Sequence, residues 1–247
     1  MRKLTFWGAL VGTVLGTRWV LGQRPAMRVP GQEGIPSPAV VDAYQKVTSL
    51  PHVQALYRWL ARRALWKVPA AGVVLDIGCG PGHFIAELVK RGPRLTLVGL
   101  DASSEMLAVA ADRYGDLGGR VAWQQGTVEA LPFPDRYFDL VASTHSMHEW
   151  SDPLLALNEV ARVLKPDGRF MIYDLRRDMA GFAWVTIWLA QRLVAPRALS
   201  SMDEPVGSVR AAHTPREIVE LARKSQLQPW RVASGPFWVS LENAASP

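Results

Sequence analysis

The sequence predicts an α/β protein whose core is a doubly wound, mostly parallel sheet. Three observations lead there. Short apolar runs alternate with amphipathic stretches of helix length from residue 73 onward, and strand, helix, strand order implies parallel pairing with right-handed crossovers. The first run, Val73-Val74-Leu75-Asp76-Ile77, opens straight into a turn with glycine at positions 78, 80 and 82. Near the end, runs at 229–234 and 236–242 are joined through Ser234-Gly235-Pro236, a connection so short that the pair must be antiparallel.

Composition bounds the rest. The chain has 247 residues, 49% apolar and 20% charged, which suits one domain of ordinary size with an appendage and excludes a mainly disordered chain. Cys79 is the sole cysteine, so a disulfide framework and a multi-cysteine zinc site are excluded. The formal net charge of +6 would suit nucleic acid or anionic lipid, but its distribution matters more than its size. Residues 1–32 hold Arg2, Lys3, Arg18, Arg24 and Arg28 with no acid, leaving 23 of the 28 basic residues against 22 acids in the body. That body lacks a basic stripe, so no nucleic-acid partner is expected.

Taken in order, Leu4 to Gly22 is apolar except for Arg18, and as a helix it would reach about 28 Å, close to the hydrocarbon thickness of a bilayer. Gly8, Gly12 and Gly16 share a helical face, and Trp7 and Trp19 lie near the two ends, as in membrane helices. Residues 4–22 are therefore a candidate membrane anchor, against an interfacial or docking helix and a cleaved signal peptide. The arginines that follow favour a cytoplasmic location for the rest. Residues 23–38 carry four prolines and read as a linker, which closes a 1–38 appendage. The domain is expected over 39–247. Helical spacing marks 40–47 and 53–65, the second with Leu56, Leu60 and Ala64 on one face. Strands follow at 73–77, 95–101, 121–125, 138–143 and 168–174, with helices near 83–91, 103–114 and 152–164. An insertion at about 178–213 precedes a last helix at 215–225.

Asp76-Ile77-Gly78-Cys79-Gly80-Pro81-Gly82 lies where the first strand passes into a helix, and its glycines let the backbone approach a ligand closely. A dinucleotide fingerprint would need glycine where His83 stands, and a Walker loop would need Gly-Lys-Ser/Thr. What remains, D-x-G-x-G-x-G, resembles motif I of the class I methyltransferases. The resemblance implies S-adenosyl-L-methionine as cofactor, bound by Asp76, Gly78, Cys79, Gly80 and Gly82. Asp101 ends the strand LTLVGLD, where a carboxylate can accept from both ribose hydroxyls, and the resemblance implies that Ala102 and Met106 flank the adenosine. Alone, such an acid caps the next helix equally well.

Gly126-Thr127-Val128-Glu129-Ala130-Leu131-Pro132-Phe133 is similar to the family's G-D-A-E-x-L-P-F, with Thr127 in place of the acid that accepts from the adenine amino group. A hydroxyl still accepts, though more weakly, and the Val128 amide can donate to the ring. Asn158 to Arg169 resembles the helix, turn and strand entry of the methyltransferase-11 group, which includes quinone C-methyltransferases; there Pro166 stops the helix and Gly168 permits the turn. Tyr44 occupies the tyrosine of the family's Y-D-x-x-A/S segment, with Gln45 replacing the acid. By resemblance it covers the methionine end of the cofactor; a core tyrosine is the competing reading. The four segments imply a Rossmann-like, seven-stranded, mostly parallel sheet with an antiparallel last strand and helices on both faces.

Methyl transfer from a sulfonium is an in-line displacement that needs alignment in a dry cleft and no metal. If the acceptor is a phenol, thiol or activated ring carbon, a base assists. His145 and His148 follow the fourth strand at the carboxyl edge, where ligands of such sheets bind, and are the candidate catalytic residues; both would serve as loop or helix-entry residues too. Two histidines without a third ligand do not make a metal site. Asp174, ending the fifth strand, is a candidate substrate contact. By family analogy the insertion is a lid, and its apolar half, Ala180 to Val194, would prefer a hydrophobic acceptor. The expectation is methyl transfer to a small lipophilic acceptor, quinone- or isoprenoid-like, near a membrane. A soluble methyltransferase of a polar metabolite, a nucleic-acid methyltransferase and a non-catalytic cofactor-binding protein are the alternatives.

Overall fold

The computed structural model describes residues 27–29, 38–66, 68–115 and 117–244, so the expected helix at 4–22 and most of the expected linker lie outside the described residues. Two helices come first, α1 (Pro38–Thr48) and α2 (Pro51–Leu65). Pro51 opens α2 at a position where its missing N–H leaves no bond unmade. There follow β1 (Val73–Ile77), α3 (His83–Arg91), β2 (Thr96–Asp101), α4 (Ser104–Tyr114), β3 (Val121–Gln125), β4 (Phe138–Thr144), α5 (Pro153–Val163) and β5 (Leu164–Leu175). The insertion folds as α6 (Gly181–Leu193), α7 (Arg197–Ser200) and α8 (Val206–Ala211), and α9 (Pro215–Lys224), β6 (Trp230–Ser234) and β7 (Trp238–Asn243) complete the chain. Among the described residues no helix is long and apolar enough to cross a membrane.

The seven strands lie in the order β3-β2-β1-β4-β5-β7-β6. The first five are parallel, and β7 runs antiparallel between β5 and β6. The order reverses between β1 and β4, which opens a crevice at the carboxyl ends of the strands.

Alternation along the strands divides the core between two faces. Val74, Leu97, Leu140 and Ala142 pack with Leu60 and Ala64 of α2 and Phe84, Ile85 and Leu88 of α3. Leu75, Ile77, Val141 and Phe170 pack with Ala156, Leu157 and Val160 of α5 and Ile218 and Ala222 of α9. Each fully buried leucine or isoleucine contributes roughly 1.5–3 kcal/mol relative to exposure, so these two layers dominate the stability.

Three expectations are corrected in detail. First, β5 begins at Leu164 directly after α5 instead of at 168, because Phe138 pairs with Leu164 while Leu140 pairs with Arg169. The turn expected at Pro166 to Gly168 is thus a bulge inside a strand. A Cβ on Gly168 would lie 2.8 Å from the Lys165 carbonyl oxygen, which is why that position is glycine. Second, the last strand starts at Trp238, two residues later than its apolar run, because the Ser234–Pro236 junction takes the chain through its reversal. Third, part of the expected linker lies against the domain: Val29 N–H donates to the Arg210 carbonyl at 3.2 Å.

The two leading helices are tied to the sheet by polar contacts. His83 at the start of α3 bonds through Nε2 to Thr48 Oγ1 and through Nδ1 to the Tyr114 hydroxyl, each at 3.1 Å. Arg63 of α2 pairs with buried Glu242 of β7, which also takes Arg231 at 3.0 Å.

Candidate active site

The glycine turn is built by backbone geometry. Gly78 has φ +66° and a Cβ there would lie 2.3 Å from Ser146 Cβ; Gly82 has φ +79° and a Cβ there would lie 2.7 Å from the Trp123 ring. Both conformation and space therefore demand glycine. Ser146 is itself fixed, donating to the Ile77 carbonyl at 3.1 Å and sharing a 2.7 Å bond with Ser143. The carboxyl-edge turn after β4 and the glycine turn after β1 thus lean on each other.

Two carboxylates flank the turn. Asp101 accepts from Gly80 N–H at 2.7 Å and Ser103 N–H at 2.9 Å. Burial raises its pKa above the usual carboxylate range, although these two amides oppose the rise. Asp76 is fully buried, and among the described residues neither of its oxygens has a hydrogen-bond partner. Burial, with the Asp101 charge adding to it, holds it well above the ordinary carboxylate value. A buried carboxylate with no donor costs several kcal/mol in effective desolvation, so the site lacks a cationic or donating partner. The sulfonium cofactor offers a suitable one in its amino group. Its diol matches the remaining lone pairs of Asp101, and the glycine turn leaves room for its backbone-facing side. The residues present therefore fit S-adenosyl-L-methionine.

The other expected cofactor residues lie on the turn itself, on α1, and after the carboxyl ends of β2 and β3. Tyr44 of α1 lies over the turn, its Cε1 3.9 Å from where a Gly80 Cβ would stand. Its phenol pKa is pushed well up, by burial first and then by the charges of Tyr57, Glu149, Asp101 and Glu204. Cys79 is buried, with its thiol raised by burial and by Asp76 and Asp101. Met106 and Val128 are buried, and Ala102 and Thr127 are exposed beside Asp101. Gly126 N–H donates to the Asp101 carbonyl at 3.1 Å, which draws the Thr127 turn to the strand end. Thr127 makes no side-chain bond to its own turn.

His148 and Asp174 form a buried pair at the carboxyl edge of β4 and β5. The Met147–Glu149 turn follows β4, and Asp174 is the penultimate residue of β5. His148 Nδ1 lies 2.9 Å from Asp174 Oδ1 and 3.1 Å from Oδ2, and the His148 N–H donates to Oδ2 at 2.8 Å. Burial opposes charge on His148, but the Asp174 carboxylate overrides it and the imidazole is raised to about 9. Burial likewise opposes charge on Asp174, and the histidine holds it below the usual carboxylate range. His148 Nε2 lies 3.9 Å from Glu149 Oε1. Glu149, with half its side chain accessible, is raised to about 7 by loss of solvent around it and by Asp101, Glu204 and Asp174, against His148.

His145 is placed differently. Its φ is +57°, its N–H donates to the Tyr173 carbonyl at 2.7 Å, and its ring stands edge-on to Tyr173 at 5.4 Å. Burial lowers its pKa, with His148 adding to the effect.

Residues that sequence reasoning did not connect to the site complete it. Tyr57 of α2 has its phenol raised by burial and by Asp76. Glu204, between α7 and α8, accepts from the Ser208 hydroxyl at 2.5 Å, and α7 packs Leu199 on Val40 and Ala43 of α1. Arg28 donates through Nε to the Ala211 carbonyl at 2.8 Å and through Nη2 to the His148 carbonyl at 3.2 Å. Only a run of prolines marked its segment in the sequence, which is no signal of such a contact.

Comparison with known proteins bears on the domain that carries these residues. Residues 75–172 match the methyltransferase-11 family model, described as a methyltransferase domain. The chain is 45% identical over 102 residues to the uncharacterized methyltransferase YcgJ of Bacillus subtilis, covering 41% of this chain and 40% of that one. It is 29% identical over 189 residues to a demethylmenaquinone methyltransferase of Deinococcus radiodurans, covering 74% and 78%. Its fold is similar to a SAM-dependent methyltransferase from Aquifex aeolicus, with a TM-score of 0.59 at 20% identity over 84% of this chain and 98% of that one. A family-model match across the strands that carry Asp76, Asp101 and the β4 edge, over a buried acid suited to the cofactor's amino group, leaves one conclusion: residues 75–172 belong to the class I S-adenosylmethionine-dependent methyltransferases, in the methyltransferase-11 family.

Proposed function

We propose that the chain transfers a methyl group from S-adenosyl-L-methionine to a small lipophilic, quinone-like acceptor, taken as its phenolic or quinol form. The observation that carries this reading is the His148–Asp174 pair, buried at the carboxyl edge and covered by the insertion, whose α8 packs on the Met147–Glu149 turn. The demethylmenaquinone relative supports the acceptor class, and the apolar composition of α6 suits it.

In this reading Asp76 takes the cofactor's amino group and Asp101 its ribose diol. Gly78, Cys79, Gly80 and Gly82 line its path, Tyr44 covers the methionine end, and Ala102, Met106, Thr127 and Val128 border the adenosine. The cofactor supplies an electrophilic methyl group on a sulfonium, which departs as a neutral thioether. His148 is the catalytic residue: its Nε2 receives the proton of the acceptor hydroxyl, and Asp174 holds the resulting imidazolium. The acceptor then carries the electron pair that takes the methyl group. His145, its ring edge-on to Tyr173, borders the acceptor. Residues 4–22 hold the chain at a membrane, with the domain on the cytoplasmic side.

Incubation with labelled S-adenosyl-L-methionine and a lipid extract, followed by mass analysis, tests the reading. A labelled quinol-type lipid is expected. Label confined to a water-soluble metabolite would establish the polar-acceptor alternative, and stoichiometric cofactor binding without transfer would establish a binding protein.

A further inference from the structure

We propose that α6 is a membrane-docking helix that lies in the headgroup and acyl boundary of an anionic lipid surface and admits the acceptor from it. The proposal rests on the lipophilic-acceptor reading above. A helix on a protein surface normally presents polar side chains outward. The outward stripe of α6 is Phe182, Thr186, Leu189 and Leu193, at spacings of four, three and four. Phe182 and Leu189 are about two-fifths exposed and Leu193 is 77% exposed, as is most of the adjoining Val194. Only Gly181 and Ala183 of the helix are buried. Thirteen residues make about 20 Å of helix, too short to span a bilayer and ample to lie along one.

Charge selects the occupant. No acid occurs between Asp178 and Asp203, whereas Arg192 and Arg197 are exposed. Arg192 lies 4.5 Å over the Trp188 ring, so an apolar body carries a cationic tip, the arrangement that sits at a lipid headgroup. A second copy docked on this face would set arginine against arginine, while anionic phospholipid neutralises both.

The chain outside the described residues adds to this. The acid-free leader reaches the domain at Arg28 and Val29, which bond to Ala211 and Arg210 of α8. Val209 of α8 packs on Met179 and Ala183 at the base of α6. The described leader residues therefore meet the fold at α8, which packs on the buried side of α6.

The test places an environment-sensitive bimane on the full chain at Leu193→Cys, and separately at Arg216→Cys on α9, whose native side chain is 90% exposed. The probes are vesicles of phosphatidylcholine with and without phosphatidylglycerol, with bromine on the acyl chains. The bimane at 193 is expected to shift to the blue and lose at least half its emission only with phosphatidylglycerol present, while that at 216 stays unchanged. Membrane binding with an unchanged signal at 193 overturns the proposal, since the leader alone then holds the chain. A vesicle-free blue shift at 193 also overturns it: concentration dependence would mean a second copy, and its absence would mean cover by residues 4–22. None of these signals requires turnover, so failure here is distinct from failure of the acceptor assignment.

Discussion

Asp174 grips His148 twice, with one carboxylate oxygen on the ring Nδ1 at 2.9 Å and the other on the backbone N–H at 2.8 Å. The ring thus has a fixed tautomer and orientation, and Nε2 is the nitrogen left to exchange a proton. Asp174→Asn should keep the fold's volume but remove the charge that stabilises the imidazolium. kcat/KM with a quinol acceptor should fall by about 10²–10⁴, the usual contribution of a positioned acid–base group, while cofactor affinity changes little. An equal loss of cofactor binding, read by titration calorimetry, would instead mark Asp174 as structural.

The raised imidazole sets a pH dependence. With His148 at about 9, the base role proposed for it requires that the imidazole and an acceptor hydroxyl together lose one proton before methyl transfer. The rate should therefore climb with pH and level off near 9. In His148→Gln that inflection should vanish with the bulk of the rate. The same pair affects stability in the opposite sense. The folded pKa exceeds the unfolded value, so the contribution is complete below about 6.5 and is lost as pH rises through about 9.

How much of this was legible in the sequence follows from how local each signal is. β1, its glycine turn and Asp101 were readable because strand burial, φ and strand-end acidity are properties of short segments. The grip of Asp174 on His148 was not, since it depends on the β4–β5 register that sets Thr144 beside Tyr173. Arg28 lies 120 positions from His148 and 183 from Ala211, in a segment with no periodicity of its own. The bulge in β5 was hidden because Pro166 and Gly168 signal a turn equally well whether it lies outside a strand or within one.

In the proposed reading Asp76 and Asp101 would make two different kinds of cofactor contact. Asp101→Ala removes an acceptor and also releases the Gly80 and Ser103 amides. Affinity should fall about 10–100-fold, as expected for loss of a charge-assisted bond. Asp76→Asn removes a charge that burial disfavours in the free protein. The empty protein should gain thermal stability, while the cofactor-induced rise in Tm shrinks. A cofactor-induced rise equal to that of the parent chain would show that Asp76 does not meet the amino group.

Arg28→Ala leaves the Ala211 and His148 carbonyls without their guanidinium donor. The expected loss is about 1–3 kcal/mol in chemical denaturation. Arg28→Lys should recover under half of it, because one ammonium does not reproduce two N–H groups held in a plane. A kcat decrease larger than the KM change in Arg28→Lys would indicate that the leader segment positions His148 as well as anchoring α8.

Acid should loosen the two leading helices first. His83 is lowered to about 4, chiefly by burial with Arg113 and Lys90 adding to it, and it joins Thr48 to Tyr114. Its folded pKa lies below the unfolded value, so the unfolded chain binds more protons between about 6.5 and 4 and stability falls as pH drops through that window. His213, also lowered to about 4 by burial and Arg28, acts in the same direction at α9. The urea midpoint should therefore drop between pH 7 and pH 5. In His83→Gln, which keeps polar atoms without a titrating ring, that drop should be smaller, even though the variant starts from a lower midpoint at pH 7. An undiminished drop would mean that His83 is free to protonate in the folded chain and that its contacts to Thr48 and Tyr114 do not hold the neutral form.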